Sequence, residues 1–211
     1  MRRLAVVGVT VLMLSGCSQL GGEAENEEIP PKPLAKELCD AIGAVRIEKI
    51  APNAKTTQAK DITGFGTTAG IADASCDAVG GAILRVVYKR YGQTAGQTPA
   101  ERVTEAVGKS CDDMRSGRWA EEKARFNPGF RADPMDPPGT GGKGTCKISG
   151  RYDLVKEPHA KASVVFGLKG DLVEVELSKE LSESAELNDN LVKLMGSEIT
   201  MLAVDLFDAK L

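Results

Sequence analysis

The sequence predicts an α+β fold: an antiparallel sheet packed by helices, built as two degenerate helix–strand–helix modules, each with one disulfide. Three observations carry this expectation. Residues 146–177 alternate apolar and polar side chains with a period of two. The segment from Ser182 onward carries an apolar stripe with a period near 3.6. Four of the five cysteines fall into two similarly spaced pairs.

The N-terminus is set apart from this fold. Residues 1–16 begin Met-Arg-Arg, run through an apolar stretch from Leu4 to Leu14 and end in Ser15-Gly16. That is the anatomy of an export signal, and its apolar part is short for a membrane span. Leu14-Ser15-Gly16-Cys17 resembles the lipobox of bacterial lipoproteins. The resemblance implies that Cys17 receives a diacylglyceryl group with palmitate-type chains. Cys17 would then be the mature N-terminus and anchor the chain to the extracytoplasmic face of the cell membrane. Residues 17–32 change composition abruptly. Gly21-Gly22, Glu23, Glu25, Glu27, Glu28 and Pro30-Pro31 offer little to bury, which predicts a disordered acidic tether. Folding is expected to begin near Pro33, with modules over 33–97 and 98–211 forming one compact globular unit.

In the first module, Leu34, Leu38 and Ile42 recur at helical spacing around Cys39, which Asp40 follows. Cys76 leads into a strand-like run, Ala82-Ile83-Leu84-Arg85-Val86-Val87-Tyr88. The residues between, Thr56–Ser75, show no apolar periodicity and are expected as a loop. The second module opens on the clearest helix start in the chain. Thr98 can cap, Pro99 suits the first helical position, and Glu101 completes a capping box. Val103, Val107 and Cys111 then share one face, and Asp112 follows Cys111 as Asp40 follows Cys39.

After a second aperiodic segment, 127–145, a three-stranded meander is expected. Cys146, Ile148, Tyr152 and Leu154 alternate with polar residues, as do Ala162, Val164, Phe166 and Leu168. Lys169-Gly170-Asp171 makes a short turn, and Val173, Val175 and Leu177 then oppose Glu174 and Glu176. The pattern leaves one face of this sheet to solvent. Ser182 and Ser184 open the last helix. Its stripe, Leu187, Leu191, Leu194, Met195, Ile199, Leu202 and Leu206, covers the sheet, with Met195 and Met201 as core filler.

With Cys17 lipidated, Cys39, Cys76, Cys111 and Cys146 remain, an even number in an exported chain. Cys39 and Cys76 are 37 residues apart, and Cys111 and Cys146 are 35 apart. The repeated context favours the pairs Cys39–Cys76 and Cys111–Cys146. A four-cysteine zinc site lacks the Cys-x-x-Cys spacing that preorganises ligands, so no metal is expected.

The chemistry search is negative. Formal net charge is −3 and becomes more acidic if Arg2 and Arg3 leave with the signal, which argues against nucleic acid as a partner. The one histidine, His159, is expected in a solvated connection between strands, and no Gly-x-Ser-x-Gly turn offers a nucleophile. Gly139–Thr145 lacks the Lys-Ser/Thr of a phosphate loop, because Gly144 follows Lys143. Gly64-Phe65-Gly66 with Gly70 misses the dinucleotide spacing. Asp112-Asp113, Asp133 with Asp136, and Asn188-Asp189-Asn190 match no calcium loop. Trp119 is expected to pack against a neighbouring element. No cofactor is expected.

The lipobox Cys17, the acidic tether, Leu38-Cys39-Asp40, and Gly170-Asp171-Leu172-Val173-Glu174-Val175-Glu176 before a terminal helix together resemble a family of actinobacterial cell-envelope lipoproteins of unknown function. That resemblance implies a lipid anchor and a paired-cysteine α+β domain, and supplies no catalytic residue. The functional expectation is a non-enzymatic envelope module that binds an envelope protein or a small ligand. The alternative is an envelope hydrolase using dispersed carboxylates.

Overall fold

The computed structural model describes residues 28–63, 70–115, 131–134, 145–154, 157–180, 189–209 and 211, with backbone only at 60–63, 114–115, 131–134, 145–154, 157–159, 189–190 and 192–193. The fold is α+β. Two short helices, α1 (Leu38–Ile42) and α2 (Ala44–Ile50), precede strands β1 (Lys55–Thr63), β2 (Ile71–Val79) and β3 (Ile83–Tyr91). Helix α3 (Pro99–Arg115) leads to β4 (Arg131–Pro134), β5 (Thr145–Leu154), β6 (Glu157–Leu168) and β7 (Asp171–Glu180). Helix α4 (Asp189–Asp208) closes the order. All neighbours pair antiparallel in one seven-stranded sheet, β1-β2-β3-β7-β6-β5-β4. The two predicted modules therefore meet along β3 and β7.

One face of the sheet carries the main core. Ala74, Cys76, Ala78, Leu84, Val86, Tyr88, Val173, Val175, Leu177, Ala162, Val164 and Phe166 point to it, and α1, α2 and α4 cover it. Cys39 on α1 bonds to Cys76 on β2, with Cα atoms 5.1 Å apart. At the edge of this core, Arg90 donates to Asp171 at 2.8 Å and to the main-chain oxygen of Leu211 at 2.6 Å. Burial, reinforced by the Asp171 carboxylate, pushes the neighbouring Tyr88 phenol well above its ordinary range.

Among the described residues, the opposite face is covered only in part, by α3. Its start is the capping box: the Thr98 N–H and hydroxyl both donate to Glu101 Oε2 at 2.8 Å, and the Glu101 N–H donates to Thr98 Oγ1 at 3.3 Å. These bonds hold the Glu101 carboxyl below its usual range. Val103, Val107 and Cys111 then pack on Val165 and Leu172. Gly167 makes the approach possible, because a Cβ there would stand 2.4 Å from Val103 Cγ1 and 2.6 Å from Val107 Cγ2.

Several expectations change. Thr56–Ser75 is not a loop where described; most of it is β1 and β2. Its buried positions are Ala72 and Ala74, followed by Cys76 and Ala78, side chains too small to register as an apolar pattern. Cys76 accordingly lies inside β2 and does not lead into a strand from outside it, and Cys39 is near the start of α1. The second face of the meander is not left to solvent: Ser163, Val165 and Leu172 are buried there. The His159 backbone belongs to β6, opposite Tyr152 and Glu180, and not to a connection. In α4, Met195 is buried as expected, but Leu194 and Met201 are 68% and 61% exposed. The predicted opening of that helix at Ser182 and Ser184 lies outside the described residues, as do Leu187 and most of 127–145.

Folded structure is present before Pro33. Ile29 exchanges backbone hydrogen bonds with Gln93, at 3.1 and 2.8 Å. Gly92 permits this docking, since a Cβ on it would lie 2.3 Å from the Ile29 carbonyl oxygen.

Candidate functional site

Helix α3 lies mainly over β5–β7 and the margin of β3, and among the described residues the face it occupies keeps an open groove of about 560 Å3. Antiparallel register builds its floor from two cross-strand rows. One row runs Asp77, Arg85, Glu176, Ser163 through β2, β3, β7 and β6. The next runs Ser75, Val87, Glu174, Val165 through the same strands. Ser110 and Asp113 on the last turns of α3 form a wall. Charged and hydroxyl side chains line the groove, with Val87 and Val165 on either side of Glu174.

Three of its carboxylates have cationic partners. Arg85 Nε meets Asp77 Oδ1 at 2.9 Å, Lys161 Nζ meets Glu176 Oε1 at 3.0 Å, and Lys89 Nζ reaches Glu174 Oε1 at 3.6 Å. Pairs this exposed stabilise by only about 0–1 kcal/mol each, so they set the charge pattern more than the stability. Ser163 stands apart. It is 5% exposed, it lines the groove, and its Oγ has no hydrogen-bond partner. A buried hydroxyl in that state costs about 1–3 kcal/mol. Ser163→Ala is therefore expected to raise the stability of the free protein by about 1 kcal/mol, measured by urea unfolding. A loss of stability would mean that the hydroxyl is satisfied.

The residues singled out from sequence are mostly elsewhere. Cys17, Trp119, Asp136 and Gly139–Gly144 lie outside the described residues. Of Cys146, Asp133 and His159 only the backbone is described, on β5, β4 and β6. Cys39 and Cys76 are joined under α1, on the face away from the groove. Cys111 is also disulfide-bonded. Asp113, from the acidic pair set aside as surface, is the one such residue that reaches the groove. Ser163 was missed. Its signal lay in Ala162-Ser163-Val164-Val165-Phe166, where apolar residues at both parities mark a strand buried on both faces. Among the described residues no group of three or more His, Cys, Asp or Glu is placed to hold a metal ion. No described helix is long and apolar enough to cross a membrane.

No family model matches the chain, and no curated protein matches it. Solved structures that resemble the chain include two uncharacterised proteins. An uncharacterised protein from Mycobacterium smegmatis, the Rv0999 ortholog, matches at a TM-score of 0.37 and 9% identity, over 76% of this chain and 95% of its own. A protein of unknown function from Pseudomonas aeruginosa, PA94, matches at 0.25 and 11%, over 60% of this chain and 69% of its own. Likenesses at these scores carry no functional argument.

Proposed function

We propose that this chain is a lipid-anchored, extracytoplasmic binding module of the cell envelope and not an enzyme. The observation that carries the reading is the groove: carboxylates engaged by cations, with an unpartnered buried hydroxyl on an open floor. A site of this kind offers directional contacts to a ligand, whereas hydrolysis by paired carboxylates needs one acid and one base poised across a bond. The Cys39–Cys76 bond is in keeping with an oxidising compartment. A second bond, Cys111–Cys146, completes the scheme of one disulfide per module. Its support is the register: position 146 pairs with Val165, which packs beside Cys111. In this scheme residues 1–16 are removed, Cys17 carries the lipid, and the acidic stretch after it spaces the domain from the membrane.

Labelling of the expressing cells with a fatty acid tests the anchor. The wild-type chain is expected to incorporate label and fractionate with membranes, and Cys17→Ala to lose both. Label retained in Cys17→Ala would refute the anchor.

A further inference from the structure

We propose that the groove beneath the C-terminal turns of α3 binds an alkylammonium group, the chemistry shared by free polyamines and lysine side chains; this deepens the binding-module reading and rests on it. Charge selects the class. Asp77, Asp113, Glu174 and Glu176 line the groove against Arg85 and Lys161, and Lys89 adds one cation at Glu174. Among the described residues the balance stays negative, so an anionic ligand meets repulsion and a cation meets a surplus carboxylate. Hydrogen bonding selects the ammonium. It brings three donors and no acceptor, and the groove offers the Asp113 carboxylate with the hydroxyls of Ser75, Ser110 and Ser163. The Ser163 oxygen, buried and without a partner, gains on binding the bond that it lacks in the free protein. Val87 and Val165 flank Glu174 on the floor and offer apolar surface to an alkyl stem. A volume near 560 Å3 lies within the usual range for small-molecule sites.

The test uses the full chain in detergent micelles, titrated by calorimetry and by amide NMR. The probes are spermidine, an end-capped trilysine, the same peptide acetylated at every Nζ, inorganic phosphate and calcium chloride. Saturable binding of spermidine or of trilysine is expected, with shifts at the Ser163, Val165 and Glu174 amides; which amine binds tighter distinguishes a free polyamine from a peptide. Acetylation should weaken the trilysine at least about tenfold, and Asp113→Asn and Ser163→Ala should each weaken the amine about tenfold. Ser163→Ala is expected to keep its fold, which urea unfolding of the same variant checks, so its loss of affinity reads the site. No saturable response to either amine overturns the proposal, and so does equal binding of the acetylated peptide. Binding of phosphate or calcium with the same amide shifts, without amine binding, overturns the ligand class and leaves the binding-module reading standing. Silence of every probe, together with turnover of an ester or glycoside by the full chain, overturns both.

Discussion

The chain carrying Cys39→Ser and Cys76→Ser is expected to lose about 4 kcal/mol of folding stability. The bond closes a loop with a sequence separation of 37 residues, and its removal returns that closure entropy to the unfolded ensemble. The local structure makes the bond more important still. Helix α1 has five residues, far below the length at which a helix persists unaided. Beneath it, β2 presents Ala74 and Ala78 on either side of Cys76, which leaves modest apolar area to hold α1 in place. Leu38, Cys39 and Ile42 should therefore become exposed together when the bond is lost. Urea unfolding gives the magnitude, and hydrogen exchange over 38–50 gives the location. A change below about 1 kcal/mol would show that packing alone seats α1. Non-reducing peptide mapping of the wild-type chain should return Cys39–Cys76 and Cys111–Cys146 peptides, and a Cys39–Cys146 species would refute the two-module scheme.

Phe166→Ala is expected to cost about 3–5 kcal/mol. The ring is 1% exposed and packs edge-on to Phe207, with centroids 4.4 Å apart; Tyr88 lies 6.0 Å from Phe207 on the other side. Aromatics are few in this chain, so these three rings form much of the bulky contact between the sheet and α4. Truncation leaves a cavity where β6 meets the helix, and the rigid strands cannot close it. Met201→Ala is the internal control. Met201 shares the helix with Phe207 but is 61% exposed, so its change should fall within about 0.5 kcal/mol of zero. Comparable losses for the two variants would mean that α4 is rotated relative to the arrangement described.

Where the sequence was legible, the signal was strong and local. The capping box at Thr98 and Glu101 marked the start of α3 before any tertiary contact was considered, because side-chain-to-backbone bonds at a helix start depend on neighbours three residues apart. The alternation of Val173, Val175 and Leu177 with Glu174 and Glu176 placed β7 and its core face correctly, while the burial of Leu172 on the other face was not legible in it. The Cys39–Cys76 pairing followed from spacing and repeated context, and the structure contains it.

The misreadings share a cause, the burial of small or polar residues by elements distant in sequence. Ala74 and Ala78 look indifferent until α1 is fastened over β2. Ser163 looks like an interruption of an apolar run until α3 crosses β6 through the space left by Gly167. Leu194 and Met201 look like core until the angle of α4 turns them outward. By itself, the sequence determined the fold class, the strands of the meander, the start of α3 and one disulfide, since each rests on periodicity or on fixed spacing along the chain. Only the tertiary structure decided which sheet face each helix covers and where the groove opens. It also aligned Asp77, Arg85, Glu176 and Ser163 in one row, because register across β2, β3, β7 and β6 is a relation between segments far apart in the chain.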